Sequence, residues 1–166
     1  MVQYLYNRGA NMVVYRLCSK DEIDKIFANS SFLNVGVLGK EFHKENDEVD
    51  LNSHNYVENE LYMHFFPKFI DLFYLGLEEG MYICFYDVPF DILKENVGYG
   101  EYVDFFTYKI PRKIEEFAIE SKKIDFDYLL RVDKINSNIN IEDYFADETL
   151  NGFCETIYKK NITKSK

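Results

Sequence analysis

Apolar and polar positions fall into short segments whose periods change along the chain. Residues 12–17, Met-Val-Val-Tyr-Arg-Leu, are rich in β-branched and aromatic side chains and predict a buried strand carrying one guanidinium. Ser19 is a candidate helix cap, with Asp21 and Glu22 in the first turn, Ile23, Ile26 and Phe27 on the apolar stripe, and residues 29–31 as the stop. Residues 36–59 turn polar and charged with few apolar anchors, which predicts a long loop, either a lid or binding loop or a disordered segment. Residues 61–66 predict a strand. After Pro67, Phe69, Leu72, Phe73 and Leu77 at helical spacing predict an amphipathic helix from Lys68 to about Glu79, stopped by Gly80.

The next run, residues 81–86, is nearly continuous in apolar side chains, as expected of a central strand covered on both faces. A helical turn over 90–96, closed by Gly98 and Gly100, is followed by a strand over 102–108. Pro111 introduces Ile-Glu-Glu-Phe-Ala-Ile, a strand opening on two carboxylates. If Phe117 and Ile119 enter the core, Glu116 and Ala118 face the other way, and Glu115 falls just before pairing begins. Residues 124–131 suit a short helix or a strand extension, residues 139–158 a helical tail broken at Asn151-Gly152, and residues 159–166 a fraying end. Strands in adjacent pairs among short helices favour an α+β domain over a doubly wound sheet. The division expected is an appendage over 1–11, one globular domain over 12–158 and a tail over 159–166.

Composition sharpens this picture. The chain has 166 residues, enough for one core without staples, and holds 14 Tyr and 15 Phe with no Trp, so rings must build much of that core. A net charge of −10 opposes binding to a phosphate backbone, which makes nucleic acid a poor partner. Cys18, Cys84 and Cys154 are odd in number and far apart, as reduced core thiols would be. His43 and His54 lack a second ligand at close spacing, so no metal site is expected. No signal segment and no apolar run of about 20 residues occurs, so a cytoplasmic location without membrane insertion is the expectation.

Four side chains invite a chemical reading beside a plain one. Glu116 on a rigid strand can act on a substrate, or can be a solvated strand end. Arg16 can offer its fork to a phosphate or carboxylate, or can form a structural ion pair. His64 can bond a ligand hydroxyl or serve as acid or base, or can be satisfied within an aromatic core. Tyr99, between two glycines, can stack on a planar ring or simply sit in a tight turn. Neither glycine-rich phosphate loop occurs, and no G-x-S-x-G elbow is present.

In order along the chain, Tyr15-Arg16, Ile26-Phe27 followed by Phe32 to Gly36, Tyr62-Met63-His64-Phe65 and Glu116-Phe117-Ala118-Ile119 resemble the strand motifs of the ADP-ribosyltransferase fold, over residues 13–132. His64-Phe65-Phe66 stands where one branch has Ser-Thr-Ser, and adjacent Glu115-Glu116 stands where the family has a Glu-x-Glu or Gln-x-Glu pair. The resemblance implies split mixed and antiparallel sheets with short flanking helices, and NAD as substrate in a cleft between them. Glu116 would be catalytic, Arg16 would lie on the pyrophosphate or ribose, Tyr62 or Tyr99 on nicotinamide, and His64 near the ribose hydroxyls. A macromolecular acceptor, a protein, would receive the ADP-ribose. The competing expectation is an acidic, non-enzymatic interaction protein of inhibitor or antitoxin type, meeting a basic partner surface.

Overall fold

The computed structural model describes residues 10–28, 62–94, 98–120 and 123–161. The charged loop expected over 36–59, the Phe32 to Gly36 piece of the resemblance, and most of the expected N-terminal appendage lie outside them. Among the described residues, seven strands and three short α-helices form an α+β fold. They are β1 (Asn11–Cys18), α1 (Lys20–Ala28), β2 (Tyr62–Phe65), β3 (Tyr82–Pro89), α2 (Phe90–Lys94), β4 (Gly98–Asp104), β5 (Arg112–Glu120), β6 (Leu129–Ile135), α3 (Ile141–Ala146) and β7 (Cys154–Lys159). A four-stranded sheet has the order β1-β3-β6-β7 and a three-stranded sheet the order β2-β5-β4. All of these pairings are antiparallel. One bridge ties the sheets together: Tyr15 and Phe66 exchange backbone bonds of 2.9 and 2.8 Å.

β3 lies between β1 and β6 and buries residues on both faces, as its apolar run requires. One core packs Val14, Cys84, Tyr86 and Val132 against Met63, Phe65 and Ile119 of the smaller sheet and against Ile23 and Ile26 of α1. The second lies on the other side, where Ile83 and Ile135 meet Phe66, Leu72, Phe73 and Ile114. Rings are prominent in both, for example Phe65 edge-on to Tyr86 at 5.2 Å. Ser19 caps α1 as expected, its Oγ accepting from Glu22 N at 3.2 Å.

Several elements differ from their sequence expectation. The helix expected from Lys68 to Glu79 is a 3-10 segment, Phe69–Tyr74, because the chain turns at Gly76 with φ 87° and Leu77 then bridges to Ile139. The helical tail expected over 139–158 holds only α3. Beyond Gly152, at φ 89°, residues Cys154–Lys159 add an edge strand to β6. Lys159 and Lys160 are therefore not frayed, and Lys160 N donates to Leu130 O at 2.7 Å.

The strand expected over 102–108 begins earlier, at Gly98, and stops at Asp104. That carboxylate accepts from the backbone N–H groups of Phe106 and Thr107 and from Thr107 Oγ1, which makes the turn into β5. β5 itself starts at Arg112, so Glu115 is already paired, opposite Glu101.

Candidate functional site

β5 is the middle strand of the smaller sheet, and its register brings chemistry-bearing positions together. His64 of β2 lies opposite Ala118, and on the other side Gly98 and Gly100 of β4 lie opposite Ala118 and Glu116. Directly opposed residues share a face, so His64 and Glu116 stand together beside two positions without side chains and one methyl group. With no side chain at Gly100 the floor is low beside Glu116, while Ala118 next to it is buried. His64 Nδ1 is 3.0 Å from Glu116 Oε2, with both side chains half-buried. A proton on Nδ1 makes the imidazole a donor to the carboxylate and fixes both groups in orientation.

Glu115 alternates to the opposite face and lies 3.8 Å from Lys68 Nζ. Its cross-strand neighbour Glu101 is balanced by Lys113 at 3.0 Å, which offsets the placing of like charges face to face. Ala118 and Ile119 are both buried, so β5 is covered on its two faces at this end, whereas Glu115 and Glu116 stay partly exposed.

Arg16 reaches this site from behind. Its Nε and Nη2 donate to Glu22 at 3.0 and 2.9 Å, and its Nη1 donates to the backbone oxygen of His64 at 3.2 Å. Arg16 as a whole is 7% exposed. Burial alone would lower its pKa, but the Glu22 carboxylate outweighs this and raises it. All three contacts are intramolecular, so in this arrangement the Arg16 fork braces β2 against α1 rather than facing an open cleft. Cys18 Sγ donates to the same Glu22 at 3.2 Å and lies 3.4 Å from Cys84 Sγ, and burial raises the Cys18 thiol well above its ordinary range. This buried cluster was not legible in the sequence, where only the cap and first-turn acid pointed to Glu22.

Tyr62 pairs with Glu120, two residues from His64 on the same strand, whereas Tyr99 pairs with Phe117, out of step with the Gly100 and Glu116 pair. The rings of both tyrosines lie outside the described side chains. The turn leading into β5 displays Phe105, Phe106 and Ile110, which are 63%, 94% and 72% exposed, an apolar tip on the Glu116 hairpin. Among the described residues no helix is long and apolar enough to cross a membrane. No protein-family model, curated protein or solved structure matches the chain.

Proposed function

We propose that the chain is a mono-ADP-ribosyltransferase-like protein that moves ADP-ribose from NAD to a macromolecular acceptor. The observation that supports this best is the contact of His64 Nδ1 with Glu116 Oε2 at 3.0 Å, with Gly100 opposite Glu116 leaving no side chain beside the carboxylate. As nicotinamide departs, the ribose C1′ becomes electron-poor, and a fixed carboxylate stabilises that charge more than it stabilises neutral substrate. Glu116 is the catalytic residue in this reading.

His64 orients Glu116 and lies near the ribose hydroxyls. Arg16 acts through the His64 carbonyl as a positioning residue. Tyr62 is favoured over Tyr99 for nicotinamide stacking by its place on the His64 strand. The two small antiparallel sheets of the α+β fold are the architectural feature that supports this reading. Exposed Phe105 and Phe106 on the hairpin that carries Glu116 suit a protein acceptor, whose docking would cover them.

The test is nicotinamide release from NAD by the wild-type chain and by Glu116→Gln. Loss of one transition-state contact of this kind costs about 10²-fold or more, so release should nearly vanish while NAD still raises the melting temperature. Equal release by the two proteins removes Glu116 from its role. A melting temperature indifferent to NAD favours the acidic interaction protein instead, for which the net charge of −10 is the supporting feature.

A further inference from the structure

Neighbouring residues of a strand point to opposite faces, so Tyr15 lies across β1 from Arg16 and looks into the other side of the larger sheet. That side opens into a cavity of about 360 Å³ lined by neither His64 nor Glu116. A volume of this size suits a small molecule rather than a dinucleotide.

Its walls are four half-buried rings held by one another. Tyr15 stands edge-on to Phe69 at 5.4 Å and to Phe85 at 5.5 Å, and Phe69 stacks on Phe85 at 6.0 Å and on Tyr144 at 5.3 Å. Rings locked in this way form a wall before any ligand arrives, and their faces carry partial negative charge. One cation already uses that property: Arg131 Cζ sits 4.7 Å from the centroid of Phe85. Its charge is neutralised in place, because Nε and Nη2 are bound by Asp133 at 2.8 and 2.7 Å.

What remains uncompensated in the lining is acidic. Glu148 is exposed and has no ion pair among the described residues, and the hydroxyls of Tyr15 and Tyr144 make no hydrogen bond there. Burial, and then Glu148, raise the Tyr144 phenol, so it stays protonated with its oxygen lone pairs on offer. Aromatic faces, one net negative charge and two phenol oxygens are the chemistry that holds an ammonium group. The protein's overall charge of −10 adds to the attraction.

We propose that this cavity binds a small organic cation, an ammonium group carried on an apolar body, with the Tyr15 and Tyr144 rings beside the cation and Glu148 as its counter-charge. This site is independent of Glu116.

The experiment is calorimetric titration of the full chain with three probes that share a benzyl body: benzyltrimethylammonium, benzyl alcohol and benzoate. The cation should bind about tenfold more tightly than the alcohol, with benzoate weakest, an order expected of cation–π contact reinforced by a carboxylate. Glu148→Gln, a change at an exposed side chain, should weaken the cation by roughly fivefold and leave the alcohol unchanged, and Tyr144→Leu should weaken both. Equal affinity for all three probes, a preference for benzoate, no binding of the cation at about 10 mM, or a cation affinity untouched by Glu148→Gln each overturns the proposal. The Glu148 variant decides the matter even if Tyr144→Leu fails to fold.

Discussion

Glu22→Ala strands the Arg16 guanidinium inside the first core. In the intact protein Arg16 and Glu22 are 7% and 4% exposed and share two charge-assisted hydrogen bonds of 3.0 and 2.9 Å. Arginine cannot escape by losing its proton, so removing its partner leaves an uncompensated buried charge, a change that costs about 3–5 kcal/mol. Against a total stability of about 5–15 kcal/mol this is a large fraction. With a urea dependence of about 2 kcal/mol per molar, the unfolding midpoint should fall by roughly 1.5–2.5 M.

The double change Arg16→Met with Glu22→Leu removes both charges and should recover most of the loss, because apolar packing can replace a buried pair. It does not restore the bond from Arg16 Nη1 to His64 O, so β2 loses its brace and nicotinamide release should stay low while the fold is regained. Urea curves read by circular dichroism give the first quantity, and a nicotinamide assay gives the second. A midpoint that moves by less than about 0.3 M in Glu22→Ala would refute the argument from burial.

Three further outcomes follow from other contacts. His64→Ala should lower the turnover of nicotinamide release about tenfold with KM little changed, and His64→Gln should partly rescue it; a pure KM effect would mean that His64 binds substrate rather than orienting Glu116. Burial pushes the Asp104 carboxyl up, but bonds from Thr107 and Phe106 outweigh it and hold it low. Its stabilisation is therefore present above the ordinary carboxylate range and lost as pH falls below it, so a deficit of about 1–3 kcal/mol in Asp104→Ala at neutral pH should shrink in acid, and a deficit that grows would contradict this. Asp71 has the opposite sign: burial raises it more than Arg112, 2.6 Å away, lowers it, and its Oδ2 has no partner among the described residues. The ionised form should cost stability at neutral pH, a cost relieved as pH falls through the raised pKa, so wild type should gain on Asp71→Asn in acid-titrated denaturation curves and the reverse drift would exclude it.

The parts of the fold legible in the sequence are those where one strong local signal decides. Residues 81–86 are apolar on both faces and form the interior strand β3, and Ser19 with its acidic first turn starts α1. The signals failed where tertiary pairing decided. Phe69, Leu72 and Phe73 fit a 3-10 segment as well as an α-helix, and the length was set by Gly76 and by the Leu77 bridge. Cys154–Lys159 is an edge strand with mostly exposed residues, so it lacks the apolar alternation that would have marked it, and only its pairing with β6 makes it a strand.

At the site, the sequence brought forward His64 and Glu116 separately, and cross-strand register put them in contact. The partner of Arg16 was hidden, because a helix first-turn acid looks the same whether it meets solvent or a buried guanidinium. The cavity beyond Tyr15 is assembled from six elements and one connection spread from β1 to β7, which no local pattern records.

The most direct measurement is a crystal structure of the Glu116→Gln protein with NAD at saturation, a variant in which the proposed reaction should not proceed. The account predicts the nicotinamide ribose beside Gly100, with its C1′ about 3–3.5 Å from the substituted side chain and His64 beside the ribose hydroxyls. NAD found elsewhere on the protein, or a ribose turned away from residue 116, would contradict it.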